Sequence, residues 1–150
     1  LRVVKEVRVR FMDKEAGAIT LFDTESSYTV IRRSFSEKVF KATWTLMPRL
    51  VKLYLTNGRF VVADKYAVVT IVVNNVELSP PGTVLILDEF VEEIKLEGKR
   101  IRIPDIIMSA ETMNKYNIVL DPKESVKVIG ATGSLVRRLI YAKLYEHFKK

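Results

Sequence analysis

The chain contains no cysteine. Disulfides, thiolate metal sites and cysteine nucleophiles are excluded together. Histidine is nearly as scarce, with His147 the single example. One histidine without cysteine falls short of the usual zinc ligand set. It is also the only imidazole open to acid–base work, and it falls in the last turn of an expected helix, where it reads as solvated. Long apolar runs are missing too. The longest, Ala67 to Val73, is interrupted by Thr70 and is too short to cross a bilayer. The opening LRVVKEVRVRF alternates charged and apolar side chains, unlike the unbroken apolar stretch of a signal peptide. These absences predict a cytoplasmic, reducing location, no membrane partner, no metal and no cofactor.

What is present favours a packed core. Apolar residues make up 48% of the 150 and charged residues 29%, which suits one domain and argues against disorder. Short runs rich in β-branched and aromatic residues favour strands. The net charge is +7, unevenly spread. Residues 1–60 carry 12 basic and 6 acidic side chains, 61–111 carry 5 and 9, and 112–150 carry 8 and 3. Two basic ends flank an acidic middle. A polyanion is one partner for such ends; colloidal solubility or the charge-rich surface of a thermophilic protein is the plainer account.

Along the chain, Val7, Val9 and Phe11 share one face of a strand and Arg8 and Arg10 the other. Residues 13–17 read as a turn, Ala18 to Phe22 as a return strand, Asp23 to Ser27 as a polar turn, and Tyr28 to Ile31 as a strand. Ser36 is a candidate N-cap for a short helical turn through Phe40, followed by a strand. Asn57-Gly58 between two β-rich runs predicts a hairpin, because a type I′ turn needs positive φ at both central positions. Asp64-Lys65 is expected to turn, and Tyr66 to Val73 to be a central strand buried on both faces. Asn74-Asn75 is a turn and Ser79-Pro80-Pro81-Gly82 a rigid break. Short strands follow at 84–87, around Ile94 and Leu96, and at 99–103. A helix starts at Ser109, with Glu111 in its first turn. Strands at 117–120 and 125–129 flank Asp121-Pro122. A helix from about Leu135 to Phe148 carries an apolar stripe of Leu135, Val136, Leu139, Ile140, Leu144 and Phe148.

The predicted class is mixed and mostly β, an α+β fold: a small antiparallel barrel or paired small sheets with a C-terminal amphipathic helix. Residues 1–58 read as a basic β-rich subdomain and 59–150 as a barrel-like subdomain with the terminal helix, or the two form one compact domain.

Chemistry is sparsely signalled. Gly130-Ala131-Thr132-Gly133-Ser134 precedes a helix but matches neither phosphate-binding glycine pattern, and reads as a strand-to-helix turn. Asp88, Glu89, Glu92 and Glu93 are the densest acidic group, without the spacing of a calcium loop; they read as a charged loop that discourages edge pairing. An enzyme would need converging polar groups, with Asp64, Asp88, Glu89 and Arg138 as candidates, and no pattern brings them together. The expectation is therefore a non-catalytic chain. The basic residues Arg8, Arg10, Arg32, Arg33, Lys41, Arg137 and Arg138 are the candidate nucleic-acid contacts. Lys38 and Arg49 lie among them, and Tyr28, Phe35, Phe40 and Trp44 are interleaved as stacking platforms or core residues.

One family resemblance bears on this. Ile107-Met108-Ser109-Ala110-Glu111-Thr112-Met113 resembles the Met-Ser-x-Glu-x-Met helix start of archaeal PUA domains. Val61-Val62-Ala63-Asp64 through Ala67 resembles their opening strand, Pro81-Gly82 their Pro-Gly break, Val84 to Asp88 their central strand, and Ser125 to Ile129 their closing strand. Gly82-Thr83 departs from the family's Gly-Asp pair, and Ile103-Pro104-Asp105-Ile106 from its Val-Gly-Arg-Ala. The resemblance spans 59–129 and implies structured RNA as partner, with RNA favoured over DNA and contacts mainly to phosphate. The alternative is a protein-interaction or structural subunit of a larger assembly, viral or mobile-element products included. Its protein partner or second copy would dock through the helix at 135–148.

Overall fold

Alternation of apolar and charged residues in the first strand sets one wall of a barrel. In the computed structural model the described residues are 1–40, 45–54, 60–88, 94–96, 100–123 and 125–129. The order is β1 (Arg2–Phe11), β2 (Lys14–Asp23), β3 (Val30–Arg32), α1 (Arg33–Phe40), β4 (Thr45–Tyr54), β5 (Phe60–Val73), β6 (Val76–Glu77), β7 (Gly82–Leu87), β8 (Ile94–Leu96), β9 (Arg100–Arg102), β10 (Ile106–Met108), α2 (Ala110–Lys115), β11 (Ile118–Asp121) and β12 (Ser125–Val128). The expected class holds: this is an α+β fold with a closed six-stranded barrel, extra strands and short helices. The terminal helix expected over 135–148 and the Asn57-Gly58 turn lie outside the described residues.

The barrel runs β1-β2-β10-β3-β7-β5 and closes where Arg8, Val9 and Arg10 pair with Val72, Ile71 and Thr70. Strands from both halves of the chain therefore share one sheet. β10 lies between β2 and β3, parallel to the first and antiparallel to the second. β3 and β7 are also parallel. β5 changes partners along its length: Phe60 to Tyr66 pair with β4, Tyr66 to Val69 with β7, and Thr70 to Val72 with β1. Its first half thus forms, with β4, a hairpin carried on the barrel. β4 is the edge strand, and its register shifts between Leu46 and Val51, across Pro48. A proline without an N–H is tolerated at such an edge irregularity.

Two cores explain the apolar runs. Phe22, Ile31, Ile86 and Ile106 point into the barrel with Val7, Val9, Val69 and Ile71. Their neighbours Leu21, Val30, Leu85 and Ile107 point the other way, into a second cluster with Leu53, Leu87 and Ala63. Consecutive residues are buried on opposite faces because the hairpin covers the outer face of these strands. The doubly buried strands are β3, β7 and β10. Tyr66 to Val73, expected to be so, instead alternates, with Val68 exposed. Asp64-Lys65 is not a turn but continues β5. Ser36 is buried within α1, one turn past the helix start, rather than capping it.

Other local signals act as expected. Asn74 and Asn75 have φ of 51° and 64°, and their tight turn joins β5 to β6; asparagine tolerates this region better than most side chains. Ser109 caps α2, its Oγ accepting from Thr112 N at 3.2 Å.

Candidate functional site

The polar loop after β2 and the helix after β10 meet because β10 pairs beside β2, Met108 opposite Phe22. This brings Asp23, at the end of β2, and Ser109, at the start of α2, to the same end of the barrel. At the same end lies a cleft of about 520 Å³, which Asp23 does not line; its walls are Ser27, Tyr28 and Thr29 from the loop, Gly82, Thr83 and Leu85 from β7, and Ser109, Glu111, Thr112, Lys115 and Tyr116 from α2 and its flanks. Met47 and Val51 of the hairpin form a further wall.

The loop is held at several points. Thr24 N donates to Leu1 O at 3.1 Å, Ala110 N to Ser26 O at 3.3 Å, and Leu85 N to Thr29 O at 3.0 Å. A triangle of hydroxyls locks its far end to α2. Thr29 Oγ1 lies 2.6 Å from Thr112 Oγ1 and 3.2 Å from Ser109 Oγ, and Ser109 N donates to Thr29 Oγ1 at 3.0 Å. Tyr116 closes the floor by donating to Pro80 O at 2.6 Å. A Cβ on Gly82 would stand 2.6 Å from that anchored hydroxyl, so only glycine fits there without moving the ring.

Asp23 has a distinct setting. Its Oδ1 accepts from Glu25 N at 2.9 Å, its main-chain oxygen accepts from Ser26 N at 3.1 Å, and Arg2 Nε lies 3.7 Å from Oδ2. The side chain is 16% exposed, reachable from solvent yet fixed in aim by the strand end and the loop. Asp105 contrasts with it: 2% exposed and bonded to Arg32 at 2.6 Å and to Ile19 N at 2.9 Å. It is closed to any ligand. Among the described residues no group of three or more metal-ligating side chains comes together, and no helix is long and apolar enough to cross a membrane.

The arginines expected to contact nucleic acid are placed on carboxylates. Arg8 donates to Glu15 at 3.2 Å, and Arg10 bonds Glu77. Arg32 is drawn inward to Asp105. Arg33 bonds Glu37 at 3.1 Å and Asp88 at 3.0 Å. The hydrogen bond to Asp88, then that to Glu37, holds the Arg33 guanidinium above its ordinary value. Arg8 and Arg10 thus meet Glu15 and Glu77, while Arg32 and Arg33 meet Asp105, Glu37 and Asp88. Lys41, Arg137 and Arg138 lie outside the described residues, as does Glu89. Asp64 and Asp88 are both exposed and enter no shared site. Lys38 and Arg49 are exposed.

The residue that sequence reasoning took only for part of a turn is Asp23. Its signal was available: a carboxylate closing an apolar strand, followed by a short polar loop that re-enters another apolar strand, in a chain without cysteine and with one histidine.

No protein-family model matches the chain, and no curated protein matches it. Solved structures do. One similar structure is the crystal structure of the retroviral protease-like domain of Ddi1 from Leishmania major, at a TM-score of 0.56 and 9% sequence identity, covering 85% of this chain and 89% of that one. The fold is thus retroviral-protease-like, and the PUA resemblance is overturned. The strands matched to a PUA barrel are not a unit: Val61 to Ala63 belong to the hairpin, while Ile107-Met108 completes a barrel begun by β2 and β3. With that resemblance falls the expectation of an RNA-binding module with nucleic acid as partner, which rested on a PUA barrel that the fold does not have. The expectation of a non-catalytic chain is corrected as well, because the shared scaffold is a protease-like one.

Proposed function

We propose that the domain is a protein-interaction module that takes an extended polypeptide segment into the cleft between the β4–β5 hairpin and the loop 24–29. The observation that carries this reading is the wall composition. Met47, Val51 and Leu85 offer apolar contact, while Thr83, Ser27 and Glu111 supply hydrogen-bonding groups beside them. Such a mixture suits a peptide whose side chains alternate in direction. The likeness to a retroviral protease-like domain supports the same class of ligand.

A second reading, hydrolysis of the bound segment, rests on Asp23, which is partly exposed and stands four residues before Ser27, where the lining of the cleft begins. Cysteine chemistry is absent from the chain and imidazole chemistry would rest on His147 alone. Carboxylate acid–base chemistry remains, in which two aspartates share one proton and act on water. Each chain offers Asp23 as one half, and a two-fold copy would bring the other.

The test uses the full chain and unfolded β-casein. Fluorescence anisotropy of labelled casein is expected to show saturable binding, weakened at least tenfold by Thr83→Trp, which fills the cleft from its rim. Mass spectrometry across pH 4 to 7 then reports cleavage. Cuts that vanish in Asp23→Asn while binding persists establish hydrolysis; binding without cuts leaves an interaction module. Casein that neither binds nor is cut sinks both readings.

A further inference from the structure

The cleft is not uniform in charge. Two charged side chains line it, Glu111 and Lys115, one turn apart on α2. Among the described residues no ion pair joins them. Lys115 Nζ lies instead 5.2 Å from the centre of the Tyr116 ring, at the floor. Glu111 stands at the other end, beside the loop. Its neighbour Ala110 donates from N to Ser26 O at 3.3 Å. Its other neighbour, Thr112, reaches Thr29 Oγ1 at 2.6 Å. Tyr28 and Glu111 thus flank one contact between loop and helix. Tyr28 lines the cleft and is 42% exposed. Glu111 is exposed as well, and among the described residues no cation meets its carboxylate.

The hydroxyls between them have no proton to give. Thr29, Ser109 and Thr112 form a ring with edges of 2.6, 3.1 and 3.2 Å, and three protons close three edges. Ser109 Oγ also accepts from Thr112 N, and Thr29 Oγ1 from Ser109 N. Thr112 Oγ1 takes no main-chain N–H and keeps a lone pair open. The start of α2 therefore offers a ligand a carboxylate and an acceptor oxygen, with an aromatic ring across from them. A cation with N–H donors matches all three.

We infer that this corner of the cleft selects a lysine or arginine side chain of the bound segment, with Glu111 as the specificity-determining residue and the Tyr28 ring beside it. This selection rests on the cleft taking an extended polypeptide. It runs against the net charge. The chain carries +7, so its overall field favours an acidic segment. A preference for a basic one has to come from the cleft itself. Lys115 opposes it only weakly, because it is held at the floor and an exposed pair with Glu111 one turn away contributes little.

Competition against labelled casein on the full chain tests this, at about 0.15 M salt, where charges more than about 8 Å apart are largely screened. The competitors are three short peptides of alternating serine and valine that differ only in a central lysine, glutamine or glutamate. The lysine peptide is expected to displace casein at about tenfold lower concentration than the glutamate peptide, with glutamine between. Glu111→Gln is expected to bring the three together. Glu111→Lys is expected to reverse their order, an inversion that loss of folding cannot produce. Casein that binds while the three peptides displace it equally, or not at all, overturns the selection and leaves the interaction module standing. An order unchanged in Glu111→Lys overturns it too. Casein that fails to bind removes the module, and the selection with it.

Discussion

Arg8 and Arg10 look like Arg32 in the sequence and have the opposite surroundings. Arg8 and Arg10 stand on the outer face of β1, each roughly half exposed, and reach Glu15 and Glu77 across the sheet surface. Arg32 turns inward to Asp105, which also holds Ile19 N and so ties β2, β3 and the segment entering β10 together. Water screens the first group, whose side chains also lose entropy to stay paired. The second is largely removed from water, so its partners depend on each other. Among the described residues Arg32 Nε is buried without an acceptor, which offsets part of that gain. Position in the fold, and not residue type, decides what a charged pair contributes.

The largest effect that sharpens this contrast is expected at Asp105. Asp105→Ala leaves Arg32 partly buried without its carboxylate and frees Ile19 N, at a cost of about 3–5 kcal/mol. For a domain with total stability of about 5–15 kcal/mol, urea unfolding should show a chain close to its folding limit. A loss below about 1 kcal/mol would place this pair with the surface ones and erase the distinction. Next comes the hydroxyl triangle. Ser109→Ala removes both the cap of α2 and a partner of Thr29, for an expected loss of about 1–2 kcal/mol in the same assay.

The surface pairs come lower. Arg8→Ala and Arg10→Ala are each expected to change stability by at most about 1 kcal/mol, less in high salt; a salt-independent loss would contradict the screening argument. The smallest effect concerns acid. Asp121 holds the turn between β11 and β12, bonding Ser125 Oγ and accepting from Lys123 N at 2.9 Å. The Ser125 hydroxyl, chiefly, holds its carboxyl below the ordinary value of 3.8. A carboxyl with a lowered folded value stabilises the fold above the unfolded value, and this is lost as pH falls through the folded one. Urea midpoints of Asp121→Asn and the parent should therefore differ above pH 3.8 and converge below it; a constant gap would assign the bond no charge dependence.

Much of the local structure was legible because each signal is short-range. The period of two at Val7, Val9 and Phe11, the asparagines at 74 and 75, and the cap at Ser109 all act through neighbours. Asp64-Lys65 misled because a charged pair looks like a turn. In the fold, Asp64 is exposed and the strand continues through it to new partners. The apolar triplet at 106–108 carried no sign of its place beside Thr20, Leu21 and Phe22. That place is set by shared burial in two cores, which no local pattern encodes. The candidate site depends on the same long-range pairing. Asp23 was therefore visible only as part of a polar turn, and the arginines only as positive charge.

The late arrival of β10 has a consequence for synthesis. Arg32 and Asp105 are 73 positions apart. At roughly 5–20 residues per second, about 4–15 s pass between translation of the two. During that interval β2 and β3 are made but lack the strand that belongs between them. The nascent chain carries unpaired apolar edges of the kind that recruit another chain. A ribosome-associated holdase acting before residue 108 is translated would raise the folded yield, and one acting afterwards would find these edges sealed.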